Sequence, residues 1–126
     1  MNILLDTHAF VWAIAKSHKL SPKAASLIRE DAERVWVSAV SAYEIEFKRR
    51  RDPTLAALPA DLDEAVRLQG FEWLDVSPAH ASVAGRLPRL HGDPFDRILA
   101  AQALVEQATL ITRDPLVAAY GPVVAW

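Results

Sequence analysis

Four carboxylates stand where apolar runs give way to helix-forming segments. Asp6 ends Asn2-Ile3-Leu4-Leu5, Glu44 falls in the expected first turn of a helix, Asp96 opens another helix, and Asp114 closes Leu110-Ile111-Thr112. A fold that brings those seams to one edge concentrates negative charge there, and a hard divalent cation is the least costly way to offset it. The chemistry implied is metal-dependent phosphoryl transfer. Mg²⁺ takes one or two carboxylates directly and keeps several waters, so four acids supply both ligands and groups that hold the water shell. The expectation is that they converge around a gap of a magnesium ion's size.

Taken singly, each acid has a duller explanation. Asp6 suits the N-cap of a helix starting at Thr7, Asp93 is a natural N-cap before Pro94, and Asp114 can start a turn with Pro115. Glu44 reads as the third helical position of a capping box opened by Ser41, four residues before Lys48 in the favourable pairing orientation. Asp96 favours a helix dipole. What independent caps do not explain is that all four acids fall at a strand end or in the helix that follows it.

Other metals fit less well. Cysteine is absent, and the histidines at 8, 18, 80 and 91 lack a zinc-binding spacing. His91 is the histidine nearest the acids and reads as a loop or substrate-contact residue. Basic residues lie close by: Lys48-Arg49-Arg50-Arg51 after Glu44, Arg86 and Arg89 before Asp93, Arg97 beside Asp96, and Arg113 beside Asp114. Of these, Lys48, Arg49, Arg97 and Arg113 are the candidates for holding a polyphosphate backbone. For residues 48–51 the competing role is that of cations at a helix C-terminus, and Arg97 could equally shield the acids from within. The four Trp residues, at 12, 36, 73 and 126, look scattered and read as core or interface rather than a base-stacking platform.

The elements that must position these groups alternate between strand and helix. Residues 2–5 read as a strand covered on both faces, 7–15 as a helix, and 22–31 as a second helix with Ser21 as cap and Pro22 at its first position. Residues 34–38 form a β-rich run, and the Ser41 helix reaches about residue 50, where Asp52-Pro53 ends it. After a Pro- and Ala-rich connection Asp61 caps a helix with Leu62, Ala65, Val66 and Gln69 in register, closed by Gly70. A strand at 72–76, a helix from Ser77-Pro78 to about 87, and a helix from Asp93 burying Ile98, Leu99, Ala101 and Val105 come next. Strands at 109–112 and 123–126 complete the chain. Strands joined by helical crossovers imply an α/β fold with a parallel, right-handedly wound sheet of about five strands, whose ligands bind beyond the strands' carboxyl ends.

Composition sets the outer bounds. A length of 126 residues fits one domain, residues 1–126, and one core. Fourteen Lys plus Arg against 16 Asp plus Glu leave no global basic field, so phosphate affinity must come from local patches or metal. The lack of cysteine excludes a disulfide framework and a thiol nucleophile and fits a reducing compartment. The first apolar segment is cut short by Asp6, and no stretch approaches a membrane span, so a cytoplasmic protein without membrane association is expected.

The motifs match a known family. Leu4-Leu5-Asp6-Thr7-His8-Ala9-Phe10-Val11-Trp12, Ser38-Ala39-Val40-Ser41-Ala42-Tyr43-Glu44-Ile45, His91-Gly92-Asp93-Pro94-Phe95-Asp96-Arg97 and Ile111-Thr112-Arg113-Asp114 occur in order over nearly the whole chain. In this it resembles a PIN-domain ribonuclease, the VapC-type toxin of a type II toxin-antitoxin system. The resemblance implies a single PIN-like domain and a Mg²⁺- or Mn²⁺-dependent endoribonuclease whose metal-binding and catalytic acids are Asp6, Glu44, Asp96 and Asp114. Thr112 becomes a hydroxyl contact in the site and Asp93 an accessory acid of open role. It further implies an RNA substrate, often a structured one such as tRNA, a cognate VapB-type antitoxin, and a homodimer. Some relatives carry a further acid shortly after the fourth, whereas none follows Asp114 here.

Two other classes compete. A non-catalytic PIN-like module would use the same pocket to bind RNA or protein, and the intact acids argue against it. A phosphohydrolase with an aspartyl nucleophile would favour Asp-x-Asp after the first strand, and Asp6-Thr7-His8 lacks the second Asp.

Overall fold

The computed structural model describes residues 1–56, 58–90 and 92–126. Strands β1 (Asn2–Leu5), β2 (Arg34–Ser38), β3 (Glu72–Leu74), β4 (Thr109–Ile111) and β5 (Val124–Ala125) form one parallel sheet in the order β3-β2-β1-β4-β5. The chain winds outward from β1 in one direction through β2 and β3, then returns to β4 and β5 on the other side. The order therefore reverses between β1 and β4, where the carboxyl ends open a crevice. The expected α/β architecture with about five parallel strands is what the chain adopts.

Apolar side chains on both faces explain why β1 is central. Ile3 and Leu5 enter one core with Phe10, Val35, Val37 and Phe71, while Leu4 enters the other with Trp36, Leu99, Ala100 and Leu110. All three β1 residues are fully buried. Helices α1 (Thr7–Ala15), α2 (Pro22–Ser26), α3 (Ala39–Lys48), α4 (Pro53–Ala56), α5 (Leu62–Leu68), α6 (Pro78–Arg86), α7 (Pro94–Glu106) and α8 (Pro115–Ala118) make the crossovers. Among the described residues no helix is long and apolar enough to cross a membrane.

The structure departs from the sequence expectations in instructive places. Helix α3 starts five residues before Glu44, because Ser38, the last residue of β2, caps it directly through Val40 N–H at 3.1 Å. Ser41 is thus inside the helix, and the expected Ser41 capping box does not form. The second helix changes winding at Leu27–Asp31 into a π-turn, closed by Ala32 N–H donating to the Leu27 carbonyl at 3.1 Å. Strand β3 stops at Leu74, β4 at Ile111 and β5 at Ala125, short of the expected 76, 112 and 126. Helix α7 buries Leu99, Ala100, Ala101, Gln102 and Ala103, while Ile98 is half-buried and Val105 is exposed. Its small residues let it lie close to the sheet and to α6, so the buried stripe is set by size rather than by the largest apolar side chains. The short helices α4 and α8 fall in segments whose single turns carry no readable period.

Candidate active site

Asp6 leaves β1 and caps α1, its Oδ1 accepting from Ala9 N–H at 2.7 Å. Its own N–H donates to the Ile111 carbonyl at 3.0 Å, which extends the β1–β4 ladder by one rung and sets Asp6 beside Thr112. The buried Thr112 hydroxyl bonds to Asp6 and accepts from Asp114 N–H at 3.1 Å. Asp114 in turn caps α8, accepting from Leu116 N–H at 2.9 Å. Two acids and a hydroxyl thus meet at the point where the strand order reverses.

Glu44 comes from the second turn of α3 and is buried. Its Oε1 accepts from the Thr7 hydroxyl at 2.7 Å. That hydroxyl also lies 2.9 Å from Ser41 Oγ; since its single proton goes to Glu44, Ser41 is the donor in the second bond. Oε2 accepts from Lys48 Nζ at 2.6 Å. Asp93 caps α7 through Phe95 N–H at 2.9 Å, and Asp96 follows in the helix's first turn.

Electrostatics ties the acids together. The Asp96 carboxyl is pushed up to about 7, first by burial and then by the negative charges of Asp93, Asp114, Asp6 and Glu44. Burial likewise raises Asp6 above the usual carboxylate range, opposed by its bonds to Ala9 and Thr112 and by nearby His8, and reinforced by Glu44. Lys48 is held above the ordinary lysine range, chiefly by its bond to Glu44, with Asp93 and Asp96 adding to the pull. All five acids therefore share one field.

They do not form a closed cage. Among the described residues no three carboxylates stand close enough together to grip an ion, contrary to the expected magnesium-sized gap. Like charge holds them apart, and Asp6, Asp93 and Asp114 are each drawn to a helix N-terminus while Glu44 is drawn to Thr7 and Lys48. The donor set nevertheless fits a hard cation. It is all oxygen, it needs only one or two direct carboxylates, and the Lys48 ammonium already stands in it as a positive charge.

The expected phosphate-binding cations separate into different roles. Lys48 belongs to the acid cluster. Arg49 donates to the Pro59 carbonyl at 3.0 Å and pairs with Glu46 at 3.2 Å. Arg97 is corrected to a structural role, because its guanidinium donates to the carbonyls of Ala84, Leu87 and Pro88, each at 2.7 Å, rather than facing a ligand. Arg113 is exposed and lies 4.7 Å from the centre of the Trp12 ring. His91 falls outside the described residues. Sequence reasoning missed Thr7 and Ser41 as partners of Glu44; their signal was adjacency to Asp6 and a one-turn spacing before Glu44. It also missed that His8, Trp12 and Trp126 gather into one cluster, His8 stacked on Trp12 and Trp126 edge-on to it.

A family model described as "PIN domain" matches residues 3–121. The chain belongs to the PIN-domain family. Ribonuclease VapC22 of Mycobacterium tuberculosis (strain ATCC 25618 / H37Rv) is 32% identical over 119 residues, 90% of this chain and 87% of that protein. The PIN fold is also shared with VapBC2 from Rickettsia felis, solved bound to a DNA fragment from its promoter, at a TM-score of 0.75, 20% identity and coverage of 99% and 98% of the two chains. FitAcB from Neisseria gonorrhoeae aligns at a TM-score of 0.68 and 20% identity, covering 97% of this PIN domain and 95% of that chain. The acid cluster of this VapC-type PIN domain lies at the sheet's carboxyl edge, as the topology of the fold requires.

Proposed function

We propose that this PIN domain is a divalent-metal-dependent endoribonuclease, the toxin of a VapBC-type pair, with Asp6, Glu44, Asp96 and Asp114 as its metal-binding and catalytic acids. The observation that carries this reading is the gathering of the acids in one partly buried crevice, where burial first and then the charges of Asp93, Asp114, Asp6 and Glu44 push Asp96 up to about 7. A site with that much mutual repulsion is relieved by a bound cation. The similarity to Ribonuclease VapC22 supports RNA as the substrate.

Asp6 and Asp96, the two acids whose carboxyls are raised, would hold Mg²⁺ or Mn²⁺, with Glu44 and Asp114 binding it directly or through water. When bound, such an ion activates water and steadies charge on a phosphodiester undergoing in-line displacement. The chain's own contribution is orientation. Thr7 and Ser41 fix the Glu44 carboxylate, Thr112 fixes Asp6 and Asp114, and Asp93 anchors the start of α7. Hydrolysis leaves a 5′-phosphate and a 3′-hydroxyl.

A VapB-type antitoxin is the proposed partner, supported by the likeness to the Rickettsia felis VapBC2 assembly. An antitoxin Arg or Lys entering the acids would take the place that Lys48 partly holds. A homodimer is supported by exposed aromatic surface: Tyr43 and Phe47 are 60% and 71% exposed and stack at 6.0 Å, with Phe95 against Tyr43 at 5.8 Å.

Purified wild-type protein should cut RNA with Mg²⁺ and stop in chelator, and Asp6→Asn should lose about a hundredfold or more in rate. Equal cutting by the variant, or cutting in chelator, refutes the assignment.

A further inference from the structure

On the β5 side of the acid site the carboxyl edge carries an aromatic and cationic cluster that makes no hydrogen bond to the acids among the described residues and meets them through the charge of His8 near Asp6. His8 and Trp12, one turn apart on α1, stack with ring centroids 5.4 Å apart and planes inclined by 23°. The Arg113 guanidinium lies over the Trp12 ring at 4.7 Å, and Trp126 meets Trp12 edge-on at 5.7 Å. These residues come from α1, from the segment after β4 and from the residue after β5, so the parallel sheet delivers them to the same edge as Asp6 and Asp114. Two strand spacings, roughly 10 Å, separate β1 from β5. The cluster therefore begins beside the acids and runs away from them.

Burial divides its members into platform and tip. Trp12 and Trp126 are half-buried and pack against the hydrophobic core, whereas His8 and Arg113 are exposed. An imidazole and a guanidinium held against the anchored Trp12 indole lose little freedom when a ligand arrives. Rings with a cation among them match a nucleobase and its phosphate, since every base offers a π face and the guanidinium answers the anion. The need for a cation is specific to this place. The five acids repel a polyanion, and a strand crossing them gains a compensating charge from Arg113, next to Asp114. The outermost groups are a ring nitrogen heterocycle and a guanidinium rather than aliphatic side chains, which favours nucleic acid over an apolar protein segment.

We propose that His8, Trp12 and Arg113 form a nucleotide subsite that stacks the base and holds the phosphate of one unpaired nucleotide flanking the scissile bond. The proposal rests on the RNA-cutting reading above. It assigns the site a requirement for single-stranded RNA on one side of the cut, with little dependence on which base is there.

The test uses the full-length protein with Mg²⁺ and a single-stranded RNA whose cut position has first been mapped for the wild type. A series of the same RNA carries one abasic riboside at each position near the cut. At one position next to the cut the abasic substrate should raise the wild-type KM about tenfold. His8→Ala should raise KM on the intact RNA by a similar factor with kcat changed far less, and should show no further loss on the abasic RNA. Arg113→Gln should raise KM and flatten its salt dependence. Circular dichroism and thermal melts of both variants check folding, and both positions are exposed enough to tolerate change. If the wild type cuts RNA but the abasic series is flat, or the abasic loss is equally large in His8→Ala, the subsite is overturned while the nuclease stands. If both variants keep wild-type KM but lose binding to a co-purified protein partner, the cluster is a protein contact and the subsite is likewise overturned. If the wild type cuts no RNA at all, the nuclease reading itself falls.

Discussion

Lys48 is the residue on which the acid cluster turns. Its ammonium sits 2.6 Å from Glu44 within the pull of Asp93 and Asp96, so it partly neutralises the site and competes with any divalent ion for Glu44. Lys48→Met should therefore bind Mg²⁺ or Mn²⁺ about tenfold more tightly by calorimetry, an effect of about 1.4 kcal/mol, and should melt lower in chelator. Unchanged or weaker metal affinity would show that the ammonium does not compete. Asp96 supplies a pH signature. Its carboxyl rises from 3.8 to about 7 on folding, so between those values the folded chain holds a proton that the unfolded chain has released. Stability from this group therefore falls as pH rises through that window and levels off above about 7. In chelator the wild type should lose more melting temperature between about pH 5 and 8 than Asp96→Asn does, and Mg²⁺ should restore the loss; parallel curves would contradict the raised Asp96 carboxyl. The acids themselves were legible in the sequence because each sits at a seam between apolar and helical segments. Their partners were not: a Thr or Ser is too common to mark, and only the crossing of α1 and α3 brings Thr7 and Ser41 to Glu44.

Helix starts decide where the acids sit. Asp6 and Asp114 each do double duty as cap and candidate ligand, and Asp93 caps the helix that carries Asp96, so the local signal that builds the fold is the same one that builds the site. That is why a strand-end Asp followed by a helical pattern was readable from sequence. The α3 start was misplaced because Ser38 and Ser41 are both credible caps, and the choice falls to the strand, whose pairing with β3 runs through Ser38 and leaves no linker. The Arg97 fork was equally hidden, since its three carbonyl partners lie at the end of α6 and in the segment after it. Arg97→Met should cost about 2–3 kcal/mol in urea unfolding, through charge-assisted bonds lost and carbonyls left unpaired. A loss near zero would return Arg97 to the pool of ligand-binding cations.

At the scale of the molecule, the reversal of strand order between β1 and β4 explains how groups more than a hundred residues apart in sequence reach one crevice. Alternating strand and helix patterns were enough to foresee a parallel sheet. The exposed faces were not foreseeable: the helical period puts Tyr43 and Phe47, four residues apart, on one face of α3, but an aromatic pair at that spacing reads as core-facing, whereas here it points outward. If they form the dimer contact, Phe47→Glu should convert a dimer to a monomer in sedimentation velocity with unchanged circular dichroism; a wild-type monomer would contradict it. The most direct test of the central claim is crystallography of the protein soaked with Mn²⁺, with anomalous scattering used to locate the ion. An anomalous peak within bonding distance of at least one carboxylate among Asp6, Glu44, Asp96 and Asp114, lost in Asp96→Asn, is the predicted result. Full RNA cutting by a protein whose only Mn²⁺ peak lies away from those four acids would contradict it.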